Sequence, residues 1–171
     1  IVIDYQKDFV NGSLGFVKAE ALDDIICRKI ETYSAEGHDI LFTFDTHDSS
    51  YLDTHEGQHL PVPHCIEGTD GWKLYGKTAA YLKQAAATFK KVTFGSLELA
   101  EYLREHQYDQ VELCGLVSNI CVISNAALAK AALPNAEIVV DADATASSFP
   151  DLHEKTLDVM QGVHITVTNR D

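Results

Sequence analysis

Short apolar runs recur along this chain, and stretches of helical periodicity stand between most of them. That alternation constrains the fold more than any other feature. Residues 1–3 (Ile1-Val2-Ile3) form the first run, 40–44, 111–114 and 138–140 are nearly continuous further runs, and 88–93 and 163–167, more mixed, also read as strands. Between them, residues 19–35 place Leu22, Ile25, Ile26, Ile30 and Tyr33 at helical spacing, with Gly37 as a stop. Residues 97–105 and the Ala-rich 119–132 are two more helices, and 150–161 is another, with Pro150 in its first turn. Strands that are apolar along their whole length are buried on both faces. Strict alternation with helices predicts a three-layer α/β/α domain of Rossmann-like type around a mostly parallel six-stranded sheet. The 171 residues suffice for one such domain with a full core. The chain opens directly on a strand, so residues are expected ahead of Ile1.

Charge and cysteine usage narrow the function classes. The chain carries 13 Lys+Arg against 26 Asp+Glu, a formal net charge of -13. Such a surface repels phosphate backbones and anionic bilayers, which argues against nucleic-acid or membrane partners. No apolar run approaches the roughly 20 residues of a bilayer span. Cys27, Cys65, Cys114 and Cys121 show no paired spacing, and Cys27 and Cys114 lie on apolar faces. Unpaired cysteines point to a reducing compartment, most simply the cytoplasm.

Ligands of parallel α/β sheets bind beyond the carboxyl ends of the strands, so the residues there are the candidates for chemistry. Asp4 follows the first strand, Asp45 and His47 the second, and Lys90 and Lys91 close the third. A Gly-Leu-Val-Ser-Asn-Ile-Cys segment (115–121) follows the fourth. Asp4 and the nearby Asp8 also suit turn caps, and a lysine at a strand end also suits a solvated edge. The long stretch 45–72 is rich in His, Asp, Gly and Pro, and holds His55, Glu56, His59 and His64 besides the Asp45/His47 pair. Mixed imidazole and carboxylate donors suit zinc, manganese or iron(II). Cys121 near a helix start is expected to have a lowered thiol pKa and N–H groups nearby for an oxyanion. An Asp, a Lys and a Cys in one cleft supply base, cation and nucleophile.

These residues together resemble the isochorismatase-like cysteine hydrolases, nicotinamidases above all, over essentially residues 1–171. Asp4-Tyr5-Gln6-Lys7-Asp8-Phe9 is similar to the family's D-x-Q-x-D-F, whose first Asp is the catalytic acid/base. Lys91-Val92-Thr93-Phe94 resembles its K-x-x-[YF], which favours Lys91 over Lys90, and residues 115–122 resemble its G-x-x-[TS]-[DN]-x-C-V. The resemblance implies a catalytic set of Asp4, Lys91 and Cys121. It also implies a cis peptide at Val117–Ser118, beside the oxyanion site. Asp45, His47 and His64 match the ligands of a divalent metal, zinc before manganese or iron. One further ligand comes from His55, Glu56 or His59, with Glu56 favoured. Phe9 would be one aromatic wall of the substrate pocket, while the position where the family often has a second aromatic is Pro61.

The implied activity is hydrolysis of a small amide, nicotinamide first, by a homo-oligomer. Alternatives are an N-carbamoyl or ureido substrate for the same nucleophile, or a non-catalytic binding protein on this fold.

Overall fold

The computed structural model describes residues 1–170. Six strands form one sheet: β1 (Val2–Ile3), β2 (Leu41–Asp45), β3 (Ala87–Lys91), β4 (Gln110–Leu116), β5 (Glu137–Ala146) and β6 (Thr166–Thr168). Their order is β3-β2-β1-β4-β5-β6 and every pairing is parallel. The helices are α1 (Lys7–Val10), α2 (Val17–Glu20), α3 (Leu22–Ala35), α4 (His55–His59), α5 (Leu97–His106), α6 (Ile123–Ala132) and α7 (Pro150–Gly162). No helix among the described residues is long and apolar enough to cross a membrane.

Two apolar clusters fill the two faces of the sheet. On one, Leu22, Ile26 and Ile30 of α3 pack with Val2, Phe42 and Phe44. On the other, Leu99 and Leu103 of α5, Ala126 and Ala129 of α6, and Leu157 and Met160 of α7 meet Ile3, Leu113, Ile138 and Val140. Caps set the helix ends. The Ser96 hydroxyl accepts from the Leu99 N–H at 3.1 Å, and Gln107 closes α5 in the left-handed region.

The strand order reverses at β1, whose neighbours are β2 and β4. Open α/β sheets bind ligands at this switch point. Gly115 is essential to the pairing there. Its φ is +108°, and a Cβ at this position would lie 2.1 Å from the Ile3 carbonyl oxygen. Only glycine has both the conformation and the clearance.

Several elements differ from their sequence-based bounds. β5 runs to Ala146 rather than ending at 140, because buried Asp141 is neutralised within the sheet layer by Lys29 of α3 and accepts from the Asn169 amide. The helix expected over 119–132 opens with a π-helical turn, Ser118–Val122. The pattern over 19–35 is split into α2 and α3 at Ala21. Residues 45–72 contain a 3₁₀ turn, Tyr51–Asp53, and the short helix α4. Lys77–Gln84 forms further 3₁₀ turns that no apolar periodicity signalled.

Gly115→Ala is expected to destabilise the protein by about 2–4 kcal/mol, the joint effect of a strained φ and a backbone clash. Denaturant unfolding measures it, and a loss below about 0.5 kcal/mol would mean that β1 and β4 are not held this closely.

Candidate active site and metal centre

The ends of β1, β2, β3 and β4 bring Asp4, Asp45, Lys91 and Cys121 together. All four are buried. Lys91 is the hub. Its Nζ lies 2.6 Å from Asp4 Oδ2, 3.4 Å from Asp45 Oδ1 and 3.5 Å from Cys121 Sγ, and it donates to the Thr93 carbonyl at 3.0 Å. Lys90 points the other way, is exposed, and pairs with Glu67 beside Trp72. Alternation along a strand sends neighbouring side chains to opposite faces, so only one of the two lysines reaches the site.

Asp4 sits at φ +43°, a left-handed conformation unusual outside glycine. Thr43 of β2 holds it there: its hydroxyl donates to Asp4 Oδ1 at 2.6 Å and accepts from the Asp4 N–H at 3.1 Å. Asp4 therefore caps no helix. Among the described residues, its Oδ2 has no partner besides the Lys91 ammonium. Burial raises the proton affinity of the Asp4 carboxyl, while Lys91 pulls the other way. Burial alone would make Lys91 a weaker base, yet the charges of Asp4 and Asp45 raise its pKa and keep it an ammonium.

Cys121 departs from its expectation. Burial pushes the thiol well above its usual range, and the Lys91 charge only partly offsets this. Burial therefore favours the protonated thiol over the thiolate. The cis peptide also differs: it joins Leu116 to Val117, one bond before Val117–Ser118. Ser118 opens the π-helical turn and is fully buried.

A second cluster lies against the first. One donor atom each from Asp45, His47, Glu56 and His64 falls within 4.8 Å of the other three. His47 Nε2 is 3.0 Å and His64 Nε2 3.3 Å from Asp45 Oδ2, and both are 3.7 Å from Glu56 Oε1. Residues 45–47 stay extended past β2, and His47 pairs in parallel with Ile66, which carries His64 alongside. The His64 Nδ1–H donates to the Val62 carbonyl at 2.8 Å, leaving Nε2 for the cluster. Thr54 caps α4 and presents Glu56 inward, whereas His55 and His59 lie against each other outside, their rings 4.4 Å apart. Burial raises Asp45's pKa, but hydrogen bonds from His47 and His64 and the Lys91 charge reverse the shift and hold the carboxylate ionised. Two imidazoles and two carboxylates converging in a buried pocket fit a divalent cation.

Phe9 is nearly buried, its ring 5.4 Å from that of His64. Sequence reasoning missed several residues that build the site. Buried Gln6 brackets the Asp45 backbone, donating to its carbonyl at 2.9 Å and accepting from its N–H at 2.8 Å. Tyr51 packs its ring 4.7 Å from His47 and 4.9 Å from His64. Asn125 donates to the Cys121 carbonyl at 2.8 Å and the Phe94 carbonyl at 3.0 Å, and accepts from Ser96 N–H at 2.9 Å. It thereby fastens the Cys121 turn and its helix to the loop after Lys91. Gln6 carried a signal, standing two residues after Asp4 in the strand-end turn; Tyr51 and Asn125 carried none.

Removing one ligand should separate the candidates. Glu56→Ala is expected to weaken zinc binding by about tenfold or more, and His55→Ala and His59→Ala by less than about twofold. Competition with a chromogenic chelator reads this, and a larger effect from either histidine would contradict the assignment.

The Isochorismatase domain matches residues 1–171. The fold superposes on the crystal structure of the nicotinamidase PncA of Bacillus subtilis with a TM-score of 0.85, at 31% identity over 97% of this chain and 96% of that one. A nicotinamidase/pyrazinamidase of Mycobacterium tuberculosis is 26% identical over 94% of this chain and 96% of its own length. The N-carbamoylsarcosine amidase of Thermoplasma acidophilum superposes with a TM-score of 0.79, at 26% identity over 97% and 92% of the two chains. With its full length matched and its sheet, switch-point site and strand-end residues all in place, the chain belongs to the isochorismatase family.

Proposed function

We propose that this protein is a metal-dependent cysteine amidohydrolase that converts nicotinamide to nicotinate and ammonia. The observation that carries the reading is the position of Lys91, in contact at once with Asp4, Cys121 and Asp45. One ammonium thus joins a base and a nucleophile to a residue of the four-donor cluster. The relatives named for nicotinamide hydrolysis support the substrate.

Asp4 accepts the thiol proton of Cys121, which burial otherwise keeps on sulfur. The thiolate attacks the amide carbonyl carbon, and the electron pair of the C=O bond moves to oxygen. Backbone N–H groups of the Ser118–Cys121 turn hold that oxyanion. The C–N bond then breaks, the proton on Asp4 passes to the nitrogen, and ammonia leaves a thioester on Cys121. Water adds to the thioester with Asp4 as base, and the restored thiol and the carboxylic acid separate. Lys91 keeps Asp4 ionised between these proton transfers.

Asp45, His47, Glu56 and His64 would hold the divalent ion, zinc first for this donor set, with manganese and iron(II) as alternatives. When bound, the ion supplies a Lewis-acidic centre for a ligand lone pair such as that of a pyridine nitrogen. Phe9, beside His64, lines the approach. The free state of all four cysteines suits a reducing, cytoplasmic setting, and assembly into a homo-oligomer belongs to the same reading.

A second reading keeps the nucleophile and changes the substrate to an N-carbamoyl or ureido compound. The likeness to N-carbamoylsarcosine amidase favours it, as does Pro61 where an aromatic wall is common in nicotinamidases. The intact Asp4–Lys91–Cys121 set supports catalysis over a purely binding role.

Ammonia release distinguishes these readings. Turnover of nicotinamide should be fast, fall on chelation and return with zinc or manganese. Turnover of carbamoyl compounds alone would establish the second reading. Cys121→Ala should lower kcat at least about a thousandfold with the fold retained; activity within about tenfold of the parent would remove Cys121 from its role.

A further inference from the structure

Three ties fasten the nucleophile turn to the rest of the sheet layer. Thr145 of β5 donates its hydroxyl to the Gly115 carbonyl at 2.8 Å. Asn125 of α6 holds the Cys121 carbonyl. The third comes from α7, where His153 Nδ1 lies 2.9 Å from Ser118 Oγ. Only this third tie runs from side chain to side chain, and the reaction as derived leaves His153 unused.

The placement of His153 is costly without a purpose. The buried stripe of α7 consists of His153, Thr156, Leu157 and Met160, at the spacing of one helix face. An aliphatic residue would fill such a position without desolvating an imidazole. Burial, with Lys18 nearby, lowers the imidazole's pKa and keeps the ring neutral. A neutral ring has one donor and one acceptor nitrogen, so the nitrogen facing Ser118 fixes the direction in which the hydroxyl hydrogen points. Ser118 is fully buried and is the first residue of the turn that ends at Cys121.

We propose that His153 is a positioning residue for acyl transfer, acting through the Ser118 hydroxyl to hold the oxyanion-binding turn in register with Cys121. The proposal rests on the cysteine-hydrolase reading above, but not on the identity of the amide. Its action is local. It sets the geometry in which the tetrahedral oxyanion meets the turn's N–H groups, so it should affect kcat more than KM.

The test uses p-nitrophenyl acetate, an activated ester that reports acyl transfer by cysteine whatever the natural amide, alongside ammonia release from nicotinamide. His153→Ala and Ser118→Ala should each lower the Cys121-dependent kcat by roughly five- to tenfold, the worth of one hydrogen bond, with KM within about twofold. The double variant should be no slower than the slower single one, since both remove the same contact. Asn presents a polar group where histidine has Nδ1, whereas Gln, closer in volume, presents it where Nε2 lies. His153→Asn should therefore recover most of the rate and His153→Gln should not. Equal rates for the Asn and Gln variants, or additive losses in the double variant, would overturn the proposal and reduce His153 to a core residue. Ester turnover that survives Cys121→Ala would instead overturn the cysteine reading, and the role of His153 with it.

Discussion

The buried contact between Lys91 and Asp4 is the interaction on which the site depends. A lone charge in this interior would be expelled or neutralised; a pair with further hydrogen bonds can stay. Asp4 has Thr43 for its second oxygen, and Lys91 has the Thr93 carbonyl and Asp45. The pair needs β1 and β3 to end at one height, with β2 between them to deliver Thr43 and Asp45. The parallel register does this, aligning Asp45 with Lys91 directly across β2 and β3. Gly115 lets β4 approach β1 closely enough for Cys121 to join them.

The same contact links the two halves of the site. Asp45 faces Lys91 with one oxygen and both imidazoles with the other, so a change in the four-donor cluster alters the field around Asp4 and Cys121. Gln6 ties the backbone of Asp45 to the turn after Asp4, and Asp8 accepts from the Cys65 N–H at 2.8 Å, beside His64. The segment 45–72 is held in place by these contacts, although it contains little regular secondary structure.

Much of this was legible in the sequence because it follows from period and position. Apolar runs and their alternation with helices located the six strands, the rule that chemistry gathers at strand ends pointed to Asp4, Asp45, the Lys90/Lys91 pair and Cys121, and the family resemblance chose Lys91. What escaped depends on contacts between distant residues. The second half of β5 reads as Asp-Ala-Asp-Ala, a poor strand until Lys29 and Asn169 are seen to satisfy Asp141. Thr43, Asn125 and His153 are ordinary residues on apolar elements; each gains its role from a partner at least four and up to 39 positions away. The thiol's acidity depends on distant contacts in the same way. A helix start favours thiolate in water, but at Cys121 burial outweighs both the turn and Lys91. In the proposed reaction, that outcome gives Asp4 the part of base.

Trapping a covalent intermediate shows whether Cys121 is acylated during turnover. Protein quenched in acid during nicotinamide turnover would be weighed intact and then as peptides. A Cys121 thioester gives a mass increase of one nicotinoyl group on the peptide carrying Cys121, absent from Cys121→Ala. Steady ammonia release with no acyl group on Cys121, in a variant or condition where the water step is slowed, would contradict it.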